Sequence, residues 1–302
     1  MKKRIYIAGC GGMLGEAFYK QFNKYYELKC TDIDINEKWL SYMDFRDYEK
    51  YRDDVLSFKP DWLFHLGAHT DLEYCENHPD DTYETNTHSV EYGVQIANEL
   101  DIPILYICTA GIFDGNKPVY DENDTPAPIG LYAKSKYISE VFVQKHAHNF
   151  MICRAGWMMG GGPKKDKKFV QKIMHLINSG HDTLHIVNDK LGTPTYTHDF
   201  AKNVKLLIEN NQRGLFNMVC EGLTGRMEVA EELISIIGMA NKINIKEVSS
   251  DYFREVYYAE RPACERLINK RLNALGLNIM RDWKISLRDY IQDYYSDYLG
   301  VK

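Results

Sequence analysis

Short apolar runs alternate with longer amphipathic stretches along the first 155 residues. Five short runs are rich in apolar and β-branched residues and predict strands, at residues 4–8, 27–31, 61–66, 103–108 and 150–154. Four longer stretches space their apolar residues as helices do, at residues 13–23, 48–58, 80–100 and 131–146. Strands that alternate with helices predict a parallel sheet with helices on both faces, which is a doubly wound α/β fold.

The alternation weakens after residue 113. Residues 114–130 contain three prolines among glycines and acids and predict a long surface loop, and residues 157–168 predict a second loop. Beyond about residue 220, tyrosines and charged residues are frequent and the strand–helix pattern is weak. We therefore expect a first domain and a smaller C-terminal lobe. The first domain comprises residues 1–155 and returns from about 184–219. The lobe comprises residues 156–183 and 220–302.

Composition narrows the class of protein. The chain of 302 residues is 44% hydrophobic and 26% charged, which excludes a disordered or fibrous protein. Its net charge of −6 offers no basic surface for nucleic acid or anionic membrane, and no apolar run approaches the roughly 18–20 residues of a membrane span. The apolar run behind the basic start is too short for a signal peptide, so we expect a cytoplasmic protein.

Seven cysteines are scattered along the chain without a Cys-x-x-Cys pair. This spacing argues against a disulfide framework and against structural zinc, and it predicts small apolar core residues instead. No other group of metal-ligating residues stands out, and we expect no metal site.

A glycine-rich turn follows the first predicted strand and opens the first predicted helix. Gly9, Gly12 and Gly15 have the spacing that lets backbone N–H groups approach a pyrophosphate and lets helix and strand pack closely. Asp32 stands 17 residues beyond Gly15, at the end of the second predicted strand, where a carboxylate accepts hydrogen bonds from ribose hydroxyls. We therefore predict a Rossmann-type domain that binds a dinucleotide.

Asp32 also indicates which dinucleotide binds. Its charge repels a 2′-phosphate, and no Arg or Lys stands beside it or in the glycine turn, so we expect NAD(H) in preference to NADP(H). Lys38 and Arg46 leave NADP(H) as the alternative. Asp44 is expected either near the adenine amine or as the polar start of a helix.

A tyrosine and a lysine one helical turn apart predict the chemistry. Tyr132 and Lys136 share one face of the predicted helix, so the ammonium can lower the pKa of the tyrosine and hold the nicotinamide ribose. Tyr-x-x-x-Lys occurs three times in the chain, also at residues 25–29 and 298–302. Only Tyr132 follows a strand ending in a hydroxyl, Thr109, with which it can converge at the carboxyl edge of the sheet. Tyr132 would then give a proton to a carbonyl oxygen while hydride reaches the carbon.

Together these motifs resemble an extended short-chain dehydrogenase/reductase, most closely the dTDP-4-dehydrorhamnose reductase branch. The matching pieces run nearly end to end and comprise the glycine turn, Glu76, Asn86, the segments 108–115, 122–128, 154–157 and 189–196, and Asp199, Arg261 and Pro262. The Leu-Gly-Thr-Pro-Thr run at 191–195 and the Arg-Pro pair are the most specific of these.

The resemblance implies a catalytic trio of Thr109, Tyr132 and Lys136 and a nucleotide-sugar cleft bordered by the smaller, substrate-binding lobe. The substrate-binding residues that we expect are Thr109, Ala110, Gly111, Phe113, Trp157 and Arg261. The cofactor-binding residues that we expect are Gly9, Gly11, Gly12, Met13, Leu14, Gly15, Asp32, Asp44, Phe45, Gly67, Ala68, His69, Asn86, Tyr132 and Lys136. The lysines at 164–168 are expected in a solvated loop rather than on the diphosphate.

Two positions depart from the family pattern. An acid and then an aromatic residue usually follow the catalytic threonine, and Ala110 and Gly111 stand there. A 4,6-dehydratase of this superfamily needs an acid and a base directly after the threonine, and neither Ala110 nor Gly111 transfers a proton, so this activity is excluded. An epimerase/reductase of the GDP-fucose synthase type needs a cysteine two residues after its hydroxyl, and Gly111 at that position excludes it. Both positions border the sugar, so the departure bears on the identity of the substrate.

Simple 4-keto reduction needs only the trio and a cofactor. We therefore expect NAD(P)H-dependent reduction of the 4-keto group of a nucleotide-linked 4-keto-6-deoxysugar, in deoxysugar biosynthesis for cell-surface polysaccharide. A nucleotide-sugar 4-epimerase uses the same trio and stays open, as does a regulatory subunit like the β subunit of methionine adenosyltransferase. This superfamily commonly dimerises through the helices at 80–100 and 131–146, which implies a homodimer.

Overall fold

The computed structural model describes residues 2–296. Its strands are β1 (Arg4–Ala8), β2 (Glu27–Asp32), β3 (Leu40–Tyr42), β4 (Trp62–His65), β5 (Ile104–Thr109), β6 (Phe150–Ala155), β7 (Trp157–Met159), β8 (Thr183–Val187), β9 (Leu191–Gly192), β10 (Pro194–Tyr196), β11 (Gly214–Asn217), β12 (Thr224–Gly225), β13 (Asn244–Val248) and β14 (Cys264–Glu265). Its α-helices are α1 (Met13–Phe22), α2 (Tyr48–Phe58), α3 (Leu72–Asn77), α4 (Pro79–Tyr83), α5 (Ser89–Glu99), α6 (Leu131–His146), α7 (Gly162–Lys165), α8 (Phe169–Asn178), α9 (Thr197–Glu209), α10 (Arg226–Ile236), α11 (Lys270–Leu275) and α12 (Trp283–Tyr295). A π-helical turn at Glu84–His88 and 3₁₀ turns at Ala110–Ile112 and Ser250–Phe253 complete the described elements.

Seven parallel strands form the central sheet, in the order β11-β6-β5-β4-β1-β2-β3. The chain runs outward from β1 through β2 to β3 and then returns to place β4 on the other side of β1. The order therefore reverses between β1 and β4, and ligands of such sheets bind in the crevice at the carboxyl ends of these strands. The doubly wound, Rossmann-type fold predicted from the sequence is confirmed.

Each face of the sheet is buried under helices. On one face Phe18 of α1 packs edge-on against Phe64 of β4 and Phe200 of α9, with ring centroids 5.3 and 6.4 Å apart. On the other face Tyr6 of β1 packs against Tyr51 of α2, 6.0 Å between centroids. Because both faces are covered, the central strands carry apolar side chains in both directions, which is why their sequence runs lack alternation.

Several short elements differ from the sequence expectation. Strand β3 was not predicted, because it spans three residues of which only Leu40 is buried. The single helix expected at 80–100 is interrupted by the π-helical turn, and α3 and α4 precede it. The loop expected at 157–168 contains β7 and α7. Residues 114–130 are a loop as expected, and Tyr120 forms an isolated β-bridge with Leu267.

The segment expected to return to the first domain divides between two places. Helix α9 packs on α1, and β11 joins the central sheet beside β6. Strand β8 instead pairs with β13, and β9 pairs with β12 and β14 in a three-stranded sheet of its own. Across residues 2–296 no helix is long and apolar enough to cross a membrane.

Candidate active site

The glycine-rich turn lies at the crevice where the strand order reverses. Gly9 has a φ of +74°, and a β-carbon on it would stand 2.3 Å from the Cα of Gly67, which follows β4. A β-carbon on Gly15 would stand 2.1 Å from the carbonyl oxygen of Cys10, whereas one on Gly12 would meet nothing within 4 Å. Packing thus requires Gly9 and Gly15, while Gly12 leaves the start of α1 (at Met13 and the buried Leu14) open toward a pyrophosphate.

Asp32 is fixed at the end of β2, as a ribose-binding carboxylate must be. Its Oδ2 accepts a hydrogen bond from the backbone N–H of Gly11 at 2.7 Å, and its Oδ1 accepts one from the N–H of Asp34 at 2.9 Å. Asn36 donates from Nδ2 to the carbonyl oxygen of Gly11 at 3.2 Å. Together with the open glycine turn, this cradle fits a nicotinamide dinucleotide.

Asp44 and Phe45 lie beside this cradle. Arg46 donates to both carboxylate oxygens of Asp44, from Nε at 2.9 Å and from Nη2 at 2.7 Å, and this pairing lowers the pKa of Asp44. Arg46 was one of the two basic residues that left NADP(H) open as the cofactor. Its guanidinium is already paired with the carboxylate of Asp44. The Phe45 ring packs on Gly67, where a β-carbon would stand 2.1 Å from its Cε1.

The lysine segment is only in part the solvated loop that we expected, because Lys164 and Lys167 are exposed but residues 162–165 form α7. Lys165 is buried, and its Nζ donates to the carbonyl oxygen of Gly11 at 2.9 Å and to Oδ1 of Asn36 at 3.0 Å. Lys164 donates to Oε1 of Glu37 at 2.8 Å, and Lys168 to the carbonyl oxygen of Thr70, also at 2.8 Å. For Lys165 and Lys168 the expectation failed because their partners lie about a hundred or more residues away in the sequence.

Asn86 joins the segment 67–69, which contains Gly67, Ala68 and His69, to α6. Its Oδ1 accepts from the N–H of His69 at 2.7 Å, and its Nδ2 donates to the His69 carbonyl at 3.0 Å and to Oγ of Ser135 on α6 at 3.1 Å. Asn86 is fully buried in the π-helical turn. Its amide therefore sets the distance between the end of β4 and α6.

Helix α6 carries Tyr132 and Lys136 and begins at Gly130, which has no side chain to cap it. Oε1 of Glu76 supplies the cap by accepting a hydrogen bond from the N–H of Leu131 at 2.7 Å. A helix N-terminus held in this way places Tyr132 one residue inside the first turn. Glu76 is one of the residues on which the family resemblance was based.

At the end of β5, Tyr132 makes a hydrogen bond with Thr109, and Lys136 lies beside Tyr106 of the same strand. Burial raises the pKa of the Tyr132 phenol, and a hydrogen bond with Thr109 opposes this only in part. Burial lowers the pKa of Lys136 to about 8, and its Nζ lies 4.4 Å from the centre of the Tyr106 ring. We expected Lys136 to lower the pKa of Tyr132; burial dominates instead, and the phenol keeps its proton at neutral pH.

The residues after Thr109 form the 3₁₀ turn and are buried. Oγ1 of Thr109 accepts a hydrogen bond from the N–H of Gly111 at 3.1 Å, which fixes the hydroxyl at the mouth of the turn. Ala110 and Phe113 are also buried. The Phe113 ring stacks on Tyr120 with centroids 4.2 Å apart, so the structure places it in the core rather than at the surface of the cleft.

Trp157 lies on β7 with two charged neighbours that the sequence did not single out. Its Nε1 donates to Oε2 of Glu265 at 2.8 Å, and the guanidinium of Arg226 lies 3.7 Å from the centre of its ring. The indole packs so closely on Gly192 that a β-carbon there would stand 2.1 Å from Trp157 Cε2. No sequence signal identifies Arg226 or Glu265, because the strands that bring them here are two residues long.

Arg261 links the two parts of the chain. Its Nη2 pairs with Glu73 of α3 at 2.7 Å, and its Nη1 donates to the carbonyl oxygen of Ala259 at 2.7 Å. This ion pair ties the segment after α10 to the first domain. Of the other Tyr-x-x-x-Lys pairs, Lys29 bonds Asp54 instead, and the pair at 298–302 lies outside the described residues.

Comparison with known proteins gives a consistent result. A family model described as the RmlD substrate binding domain matches residues 2–296. The chain is 25% identical to the spore coat polysaccharide biosynthesis protein SpsK of Bacillus subtilis, over 96% of this chain and 97% of that protein. It is 26% identical to methionine adenosyltransferase 2 subunit beta of Danio rerio, over 98% and 92% respectively.

Reductases are found by both kinds of comparison. The dTDP-4-dehydrorhamnose reductase of Sinorhizobium fredii is 28% identical over 76% of this chain and 79% of its own length. That of Escherichia coli is 24% identical over 84% of this chain and 86% of its own length. The crystal structure of dTDP-4-dehydrorhamnose reductase from Bacillus anthracis in complex with NADP is similar with a TM-score of 0.88 and 25% identity. That similarity covers 97% of this chain and all of the other.

Proposed function

The chain belongs to the family described as the RmlD substrate binding domain, and on that premise we propose that it reduces the 4-keto group of a nucleotide-linked 4-keto-6-deoxysugar with NAD(P)H. The product would be an activated deoxysugar for cell-surface polysaccharide. The observation that carries the proposal is the hydrogen bond between Tyr132 and Thr109 at the end of β5, with Lys136 one helical turn along α6 and its Nζ 4.4 Å from the ring centre of Tyr106 on the same strand.

The trio supplies the two functions that ketone reduction needs from a protein. The reduced nicotinamide, when bound, supplies hydride. Thr109 donates a hydrogen bond to the ketone oxygen, and Tyr132 gives its proton to that oxygen as negative charge develops. The raised pKa of Tyr132 keeps this proton in place before reaction. The buried Lys136 ammonium stabilises the phenolate that remains and holds the nicotinamide ribose.

The cofactor that we propose is NADH in preference to NADPH. Asp34 donates its backbone N–H to Asp32, and Glu37 pairs with Lys165, which bonds Gly11 of the same cradle; these acids disfavour a 2′-phosphate. Lys164 and Lys165 are the basic groups nearest this cradle, but Glu37 and Asn36 already hold them. NADPH binding would have to draw both lysines away from these partners, and we propose it as the weaker alternative.

We also propose a cytoplasmic homodimer that binds neither nucleic acid nor membrane. Ile138 and Val141 of α6 are 45% and 43% exposed, an apolar face that α6 of a second copy would cover. All seven cysteines are free and buried, as in proteins of a reducing compartment. Light scattering of the wild type and of Val141→Glu tests the dimer: a dimeric variant would exclude this interface.

The experiment that tests the reaction is an oxidation assay of NADH and of NADPH against a panel of substrates. The 4-keto-6-deoxysugars are prepared from dTDP-, UDP-, GDP- and CDP-sugars, and bound cofactor is verified by fluorescence. Oxidation with one nucleotide series is expected. Interconversion of two nucleotide sugars without net cofactor consumption would identify a 4-epimerase instead, and inactivity with the cofactor bound would favour a regulatory subunit.

A further inference from the structure

A carboxylate from the distant strand β14 lies close to Gly111, the second residue after the catalytic threonine. Oε1 of Glu265 stands 3.2 Å from the point where a β-carbon on Gly111 would lie, and Oγ1 of Thr109 stands 3.5 Å from that same point. Strand β14 pairs in parallel with β9, which sets Glu265 opposite Gly192. The absence of a side chain at 111 is what leaves room for this carboxylate.

The two oxygens of Glu265 are used differently. Oε2 accepts the hydrogen bond from Nε1 of Trp157 at 2.8 Å, which fixes the carboxylate in one orientation. Within residues 2–296, Oε1 accepts no hydrogen bond from any donor. A carboxylate oxygen that is fixed in position and has no donor is suited to accept one from a ligand hydroxyl.

Arg226 supplies the compensating charge. Its guanidinium is stacked 3.7 Å from the ring centre of Trp157 and 4.4 Å from that of Phe169, and in the described chain its side chain makes no hydrogen bond or ion pair. Burial lowers the pKa of Arg226 to about 10, although the charge of Glu265 opposes the shift. Arg226 thus acts on Glu265 through space and leaves both carboxylate oxygens to other donors.

We propose that Oε1 of Glu265 accepts a hydrogen bond from the C3 hydroxyl of the sugar and so determines substrate specificity. The inference rests on the proposed 4-keto reduction, in which Thr109 holds the oxygen on C4. In a 4-keto-6-deoxysugar the carbons next to C4 are C3, which bears a hydroxyl, and C5, which bears the ring oxygen and the methyl carbon. C3 therefore carries the one hydroxyl adjacent to the reacting carbon, and a group fixed near Thr109 is the kind that can contact it.

The test compares a substrate with and without that hydroxyl. We would measure kcat and KM for a 4-keto-6-deoxysugar and for its 3-deoxy analogue, using the wild type, Glu265→Gln and the control Glu255→Gln, which removes an exposed charge. Loss of a hydrogen bond to a charged group should cost the wild type about ten- to a hundredfold in kcat/KM for the analogue. In Glu265→Gln the single amide oxygen stays with the N–H donor of Trp157, and the amide NH2, which cannot accept a hydrogen bond, takes the place of Oε1. The variant should therefore lose about as much on the full substrate and should then discriminate between the two sugars less than about threefold.

The outcomes separate this inference from the proposed function. A wild type that oxidises no cofactor with any sugar contradicts the proposed function, before any variant is considered. An active wild type whose Glu265→Gln variant still discriminates as strongly contradicts the role of Glu265. Exchange of the C3 hydrogen with deuterated water that depends on Glu265 would show a proton-transfer group and would also overturn the assignment. Circular dichroism and cofactor binding of each variant check that it is folded.

Discussion

The catalytic helix is held to the sheet by a buried ion pair, and the cost of breaking it can be worked from the structure. Oε2 of Glu140 on α6 accepts from Nε of Arg154 on β6 at 2.9 Å, and Oε1 accepts from Nη2 at 2.5 Å. The two side chains are 0% and 3% exposed. Burial lowers the pKa of Arg154, but the hydrogen bond and charge of Glu140 outweigh it and the net direction is upward.

Glu140→Gln keeps the size of the side chain but removes the carboxylate paired with the buried Arg154, which leaves only the weaker charge effect of Glu122. Removing one partner of a buried pair costs about 3–5 kcal/mol. Gln still offers one acceptor to the guanidinium, so we expect a loss near 3 kcal/mol in the free energy of unfolding. The double variant Glu140→Leu/Arg154→Met removes both charges and should lose less than the single variant.

Urea unfolding followed by circular dichroism measures the effect as a shift of the midpoint at unchanged slope. The control is Glu255→Gln, which removes an exposed charge outside the helices and should change stability by less than about 0.5 kcal/mol. If Glu140→Gln unfolds at the same urea concentration as this control, the pair does not hold the helix and our account of α6 is wrong.

Three further predictions concern the site. Because the pKa of Lys136 is lowered to about 8, its side chain is charged below that pH and neutral above it. The value of kcat/KM should therefore fall above about pH 8. The variant Lys136→Met should lose most activity and should no longer show this fall. A β-carbon on Gly192 would displace Trp157, so Gly192→Ala should raise KM for the sugar at least about tenfold, while an altered cofactor affinity in the same titration would contradict the assignment of Trp157 to the sugar. Lys165→Met should weaken NADPH more than NADH, measured as the ratio of their KM values; an unchanged ratio would mean that Lys165 does not contact the 2′ position.

The parts of the fold that could be predicted are those set by a local sequence pattern, such as glycine spacing or an apolar run. The glycine turn was predictable because Gly9 and Gly15 are required by contacts with neighbouring strand ends, and such contacts impose a fixed spacing on the sequence. Strands β1, β4 and β5 are buried on both faces and are recognisable from their apolar runs. Strand β3 was missed because its residues are mostly exposed and carry no such pattern.

The residues that could not be predicted reach the site through long-range contacts. Lys165 meets Gly11 across 154 residues, and Glu265 meets Trp157 across 108. A lysine in a run of lysines and a glutamate on a two-residue strand look like surface residues in the sequence. Only the packing of the segments after β6 brings Lys165 to the glycine turn and Glu265 to Trp157.

The pKa of Tyr132 shows the same limit. Sequence spacing correctly placed a lysine one turn away, but whether the phenol gains or loses acidity depends on burial, which spacing does not reveal. A buried, protonated Tyr132 has a proton to give rather than one to accept in the reduction.

The most direct test of the central claim is transfer of label from cofactor to sugar. With NADH deuterated at the transferring position and a 4-keto-6-deoxysugar nucleotide, the product of the wild type should carry deuterium at C4, detected by mass spectrometry and NMR. Tyr132→Phe should bind the cofactor as the wild type does but form this product about a hundred- to ten-thousandfold more slowly. Deuterium found at another carbon, or equal rates in the two proteins, would contradict the mechanism.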